Sequence, residues 1–216
     1  MPILIATSNP HKLDEIRAIT AEHPGRSLTF VGLSDIGLAV PEPVEDRPTF
    51  EGNAELKAAY YAEQAGMACL ADDSGLEVDA LGGEPGVLSA RYSGVEGGRD
   101  VVDPANNRKL MAALGETPAA QRVARFVCAM AFVDPADAGR SCVVRGTFEG
   151  RIITPDQADD PAQPWRGCGS NGFGYDPLFW LADAGCTSAQ LAPVEKNKRS
   201  HRGDATRKML AALKLA

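Results

Sequence analysis

The sequence predicts an α/β fold, and three observations carry that prediction. The amino terminus runs from the short apolar stretch Ile3-Leu4-Ile5-Ala6 through the turn residues Thr7-Ser8-Asn9-Pro10. Leu13, Ile16 and Ile19 then recur at helical spacing. A second segment runs in the opposite order: a helical stretch over 53–65 closes at Gly66, and the apolar run Ala68-Cys69-Leu70-Ala71 follows. Residues 122–134 and 141–149 read as two strands around the turn-rich segment 135–140, the pattern of an antiparallel hairpin.

The 216 residues, 44% hydrophobic and 24% charged, fit one ordinary domain with a substantial core and room for two lobes. A formal net charge of -7 argues against a nucleic-acid coat, because duplex binding draws on clustered Lys and Arg against phosphate. One small anion held locally is still compatible with it. The start MPILIATSNPHK lacks the basic-then-apolar pattern of a secretory signal, and no apolar run approaches membrane-spanning length, so a cytoplasmic protein with no membrane partner is expected. The five cysteines are scattered and read as reduced thiols. His11, His23 and His201 never fall at metal-helix spacing, which argues against a zinc hydrolase.

Taken in chain order, Asn9 is placed to cap the first helix with Pro10 at its first position. The strand over 68–71 delivers Asp72 and Asp73 to its end. The glycine-rich stretch 75–98 reads as irregular backbone around a site, and a helix over 106–114 puts Leu110 and Leu114 on one face. Residues 155–169, with three prolines and three aspartates, read as an exposed loop. A last helix from Ser200 carries Met209, Leu210 and Leu213 on its apolar face.

Four segments are candidates for chemistry. Thr7 to Lys12 occupy a strand-to-helix turn, where backbone N–H groups and the dipole favour an anion and Lys12 adds a full charge; the alternative is plain helix capping. Glu45, Asp72 and Asp73 form an acidic set suited to Mg²⁺, which takes one or two protein carboxylates and completes its shell with water and phosphate oxygens. Successive strand residues face opposite sides, so the two aspartates need not share a role, and a simple strand-to-turn transition is the alternative. In GFGYD, residues 172–176, the glycines permit close approach while Phe173 and Tyr175 offer flat faces to a base or, alternatively, fill a core. The basic run 195–203 can hold a phosphate or read carbonyl oxygens, or it is a solvated charged loop.

With TSNPHK, TFEGNAELKA, LADDSGLEVDALGGEPGVLSARYSG, GFGYDP and SHRGDA in this order, the chain resembles the inosine/xanthosine triphosphate pyrophosphatases, the Ham1-like family, over nearly its whole length. The resemblance implies an elongated mixed sheet flanked by helices, two lobes with the active-site cleft between them, and a homodimer. It implies hydrolysis of the non-canonical purine nucleotides ITP, dITP and XTP to monophosphate and pyrophosphate. Thr7, Ser8, Asn9, Pro10, His11 and Lys12 would surround the triphosphate, and Lys57 would contact phosphate. Glu45 with Asp72 or Asp73 would hold Mg²⁺, Asp73 would accept a proton, and Ser74 would touch substrate. Phe173, Gly174, Tyr175 and Asp176 would line the base pocket, with Lys196, His201 and Arg202 completing recognition. Ser8 and Asn171 stand where many relatives carry glycine, and the loop 155–169 is longer than the family pattern leads one to expect.

Overall fold

The computed structural model describes residues 2–7, 9–21, 29–137 and 140–213. Ser8, His23 and residues 138–139 of the expected turn lie outside them. Seven strands form one mixed sheet in the order β2-β1-β3-β4-β5-β6-β7. The chain divides into two compact units, residues 1–74, 128–147 and 200–216 in the first and 75–127 with 148–199 in the second.

The first unit is built from crossover units. Strand β1 (Ile3–Ile5) pairs in parallel with β2 (Phe30–Gly32) on one side and β3 (Cys69–Val78) on the other. Helix α1 (Pro10–Ala21) connects β1 to β2, and α2 (Phe50–Ala65) leads into β3. Parallel neighbours need such crossovers, because a tight turn can only reverse the chain. Thr49 caps α2, its hydroxyl accepting from Gly52 N at 3.1 Å, and Gly66 closes it at φ 62°. Ile3, Ile5, Ile16, Leu70, Met130, Phe132, Met209 and Leu210 form this unit's apolar core, together with the last helix α5 (His201–Ala212).

In the second unit, β6 (Phe179–Leu181) pairs antiparallel with β5 (Cys142–Ile152) and β7 (Cys186–Thr187) with β6. Its core gathers Leu76, Val78, Leu110, Leu114, Phe126, Phe148, Ile152 and Phe179 beneath helix α3 (Arg99–Leu114). The hairpin strands of the sequence reading are β4 (Val123–Val133) and β5, neighbours in the sheet.

Several expectations need correction. Strand β3 does not end at Ala71; it continues to Val78, so Asp72 and Asp73 lie inside it. Charged residues remain in this buried strand because cations neutralise them, as described below. Helix α3 begins at Arg99, seven residues earlier than expected, and contains Pro104. Residues 155–169 are not a plain exposed loop: short 3₁₀ turns at Pro155–Gln157 and Pro164–Arg166 each start on proline, Ala158 and Cys168 are buried, and Trp165 packs on the core. Strands β2, β6 and β7 and the short helix α4 (Pro193–Arg199) were not anticipated, because two to seven residues carry too little periodicity to read. Among the described residues, no helix is long and apolar enough to cross a membrane.

Candidate active site

In the first unit, β1 stops at Ile5, and its partner Leu70 on β3 is followed by Asp72 and Asp73 just past that point. Helix α1 starts at the same strand end, where Asn9 O accepts from Lys12 N at 3.1 Å and Asn9 N donates to Thr7 Oγ1 at 3.1 Å. The positive end of the α1 dipole and two carboxylates therefore gather at the carboxyl ends of parallel strands, where open α/β sheets bind ligands.

Asp72 is paired with cations. Its Oδ2 lies 3.0 Å from Lys12 Nζ and 3.5 Å from Arg202 Nε, and it accepts from Ser74 Oγ at 2.6 Å; the side chain is 1% exposed. Burial alone would raise its carboxyl, but the charges of Lys12, Arg202 and Lys57 and the Ser74 hydroxyl outweigh burial and hold it far below the usual carboxylate range. Arg202 also pairs with Glu15 and donates to Ser74 Oγ at 3.3 Å. With its side chain 2% exposed, it braces this cluster and does not present free donors to a ligand. The start of α5 is fixed by Ser200, which accepts from Gly203 N at 3.0 Å, and by close packing on β5, where a Cβ at Gly146 would lie 2.3 Å from His201 O. His201 is the first residue of that helix and is half-buried.

Asp73 faces different partners. Asn53 Nδ2 donates to its Oδ2 at 3.1 Å, and its Oδ1 lies 3.5 Å from Lys57 Nζ, which donates to Glu45 Oε1 at 2.9 Å. Asn53 and Lys57 stand one turn apart on α2 and so share a face. Burial, with the Glu45 charge, raises the Asp73 carboxyl against the pull of Lys57 and Asn53. Burial would lower the Lys57 ammonium, but the charges of Asp73, Asp72 and Glu45 raise it overall. Among the described residues, no three or more His, Cys, Asp or Glu side chains converge as a metal group. The acidic set instead splits, with Glu45 and Asp73 sharing Lys57 and Asp72 serving Lys12 and Arg202. Two hard carboxylates suit Mg²⁺, which leaves its remaining positions to water and phosphate; Asp72 fits that role poorly.

In the second unit, Phe173 is half-buried, with Arg99 Cζ 4.7 Å and Lys196 Nζ 5.7 Å from its ring centroid. Asp176 organises its loop: Oδ2 accepts from Phe173 N at 2.8 Å and from Lys196 Nζ at 2.5 Å, while Oδ1 accepts from Ser188 Oγ at 2.7 Å. Tyr175 is buried, its hydroxyl donating to Ser89 O at 2.9 Å, so it anchors the loop from within the core and offers no face to a base. Gly172, at φ 87°, is required: a Cβ there would meet Asp176 Oδ2 at 2.2 Å. A cavity of ≈ 950 Å³ opens beside Phe173 and is lined also by Arg99, Asp103, Asn107, Trp165 and Gly174. Ser8 lies outside the described residues, as do the side chains of Pro10 and His11.

A profile of the Ham1 family matches residues 3–212. The chain belongs to the Ham1 family. A protein of Exiguobacterium sibiricum named dITP/XTP pyrophosphatase is 45% identical over 214 residues, spanning 99% of this chain and 97% of that protein. A namesake from Thioalkalivibrio sulfidiphilus is 42% identical over 213 residues, spanning 99% and 98%. The solved structure of a HAM1 protein from Coxiella burnetii covers both chains completely at 33% identity with a TM-score of 0.81. These likenesses extend the Ham1 fold over the whole mixed sheet described above.

Within this Ham1 chain, sequence reasoning missed Asn53, Glu15, Asp103 and Asn107. Asn53 carried a signal, since it precedes Lys57 by four residues inside TFEGNAELKA. The others act on groups more than 60 residues away, which spacing along the chain does not reveal.

Proposed function

We propose that this chain hydrolyses ITP, dITP and XTP to the nucleoside monophosphate and pyrophosphate, clearing deaminated purines from the nucleotide pool. The observation that carries the reading is the buried Asp73, set against Asn53, Lys57 and Glu45 beside the start of α1. The naming of full-length relatives as dITP/XTP pyrophosphatases supports the substrate class.

Asp73, with its carboxyl raised by burial, accepts the proton of the attacking water, and Asn53 holds it in place for that transfer. Lys57 and Lys12, with the amino terminus of α1, offset charge on the phosphates as the water oxygen bonds to the α phosphorus and the bond from that phosphorus to the α–β bridging oxygen breaks, releasing pyrophosphate. Glu45 and Asp73 would hold Mg²⁺, which would supply Lewis-acid polarisation of phosphate oxygens. Phe173 is the aromatic ring that would stack on a purine, and the ≈ 950 Å³ cavity beside it lies in the range of small-molecule pockets. Inosine and xanthosine carry a 6-carbonyl where adenosine carries an amine, so a site rich in donors accepts the first two and leaves donors unpaired against the third. On the family resemblance the enzyme works as a cytoplasmic homodimer.

The test is product analysis from dITP with Mg²⁺ present or chelated. Equal amounts of dIMP and pyrophosphate, lost on chelation, are expected; stepwise release of orthophosphate would point to a different hydrolase.

A further inference from the structure

Helix α3 presents Arg99, Asp103 and Asn107 at successive four-residue intervals, and all three reach the same short loop. Arg99 lies over the Phe173 ring, Asp103 Oδ2 accepts from Gly174 N at 3.0 Å, and Asn107 Nδ2 donates to Gly174 O at 3.1 Å. Both backbone polar groups of Gly174 are thus held by side chains one helical turn apart. Gly174 sits at φ 62° and has no side chain to anchor itself, yet it follows the aromatic ring directly.

We propose that Asp103 and Asn107 are positioning residues that clasp Gly174 and thereby fix the Phe173 ring for purine binding. The inference rests on the reading of Phe173 as a base platform. A ring on a loop with a freely turning glycine samples many orientations, and binding then has to select one; a clasp removes that cost before the ligand arrives. The clasp touches no reacting atom, so its loss weakens binding of ground state and transition state alike, which raises KM and leaves kcat in place.

The test compares wild type, Asp103→Ala, Asn107→Ala, Asp103→Asn and Phe173→Ala in dITP turnover, with thermal melting alongside. Each alanine variant at the clasp is expected to raise KM about fivefold, as for one hydrogen bond lost, with kcat within about twofold. Asp103→Asn keeps an acceptor for Gly174 N and is expected to restore KM. In the Phe173→Ala background, which itself raises KM, adding Asp103→Ala is expected to change nothing further. A clasp effect that persists undiminished without Phe173, or that falls on kcat with KM unchanged, would overturn the proposal. Unchanged KM in Phe173→Ala, in a protein that turns over dITP, would remove the platform reading and the clasp with it. Should Asp103→Ala not fold, Asn107→Ala and the Asp103→Asn rescue decide the question by the same criteria.

Discussion

Lys57 places its ammonium 2.9 Å from Glu45 Oε1. The same nitrogen lies 3.5 Å from Asp73, so one cation holds together the two carboxylates best suited to a metal. Lys57→Ala leaves those like charges uncompensated in a largely buried place. The expected outcome is a fall in kcat of at least about tenfold, as for other removed electrostatic donors, together with a shift in the Mg²⁺ concentration for half-maximal rate. A Mg²⁺ titration of the variant against wild type checks it.

Asn53 is fully buried and divides its amide between Asp73 Oδ2 and Arg47 N, the latter at 3.0 Å. Asn53→Ala removes the donor that orients Asp73 and strands a buried acceptor. Denaturant unfolding is expected to show a loss of about 1–3 kcal/mol, and kinetics a drop in kcat greater than any rise in KM.

Asp72 sets an acid limit on stability. Its folded carboxyl is held far below the unfolded value, so its contribution is fully present above an unfolded aspartate pKa of about 4 and is lost as pH falls below that value. Wild type is therefore expected to lose stability below about pH 4. Asp72→Asn, with no such proton to take up, loses that component of the slope and starts from a lower plateau because Lys12 and Arg202 lose a buried carboxylate partner. Parallel denaturant titrations across acid pH measure both.

How far this site could be read from sequence depends on which contact carries the information. The β1-to-α1 turn was legible because an apolar run gives way to a helical period within a few residues, and the bonds that Asn9 makes to Thr7 and Lys12 are local. The acidic residues were legible as types, but their division was not: Asp72 owes its environment to Arg202, 130 positions away, and to Lys12 across the strand end. Tyr175 and Phe173 look alike on paper, two aromatics in one glycine-rich turn. Only the core around Ser89 O, 86 positions from Tyr175, separates the buried anchor from the half-buried ring. The α3 clasp on Gly174 was invisible for the same reason.

Gly172→Ala asks a left-handed residue to carry a side chain against Asp176 and Lys196, with clashes of 2.2 and 2.5 Å. The Lys196–Asp176 pair must move, and the Phe173 N–H loses its acceptor. The expected result is a rise in KM for dITP of about tenfold or more with a measurable drop in melting temperature, read by kinetics and calorimetry on one sample.

Cysteine reactivity gives a check independent of catalysis. Burial pushes the thiols of Cys69 and Cys128 up to about 12, whereas Cys142 and Cys186 are only half-buried. At pH 8 the native protein is expected to take up alkylating label at Cys142 and Cys186 well before Cys69 or Cys128, because the thiolate is the reacting form. Peptide mass mapping over time reads the order.

The most direct measurement is the rate of pyrophosphate release from dITP, XTP, dATP and dGTP at equal concentration with Mg²⁺, for wild type and Asp73→Asn. The expected result is rapid turnover of dITP and XTP, slow turnover of dATP, whose 6-amino group leaves donors unpaired, and loss of activity on all four in the variant with nucleotide binding retained. Comparable rates on all four, or full activity without the Asp73 carboxylate, would contradict it.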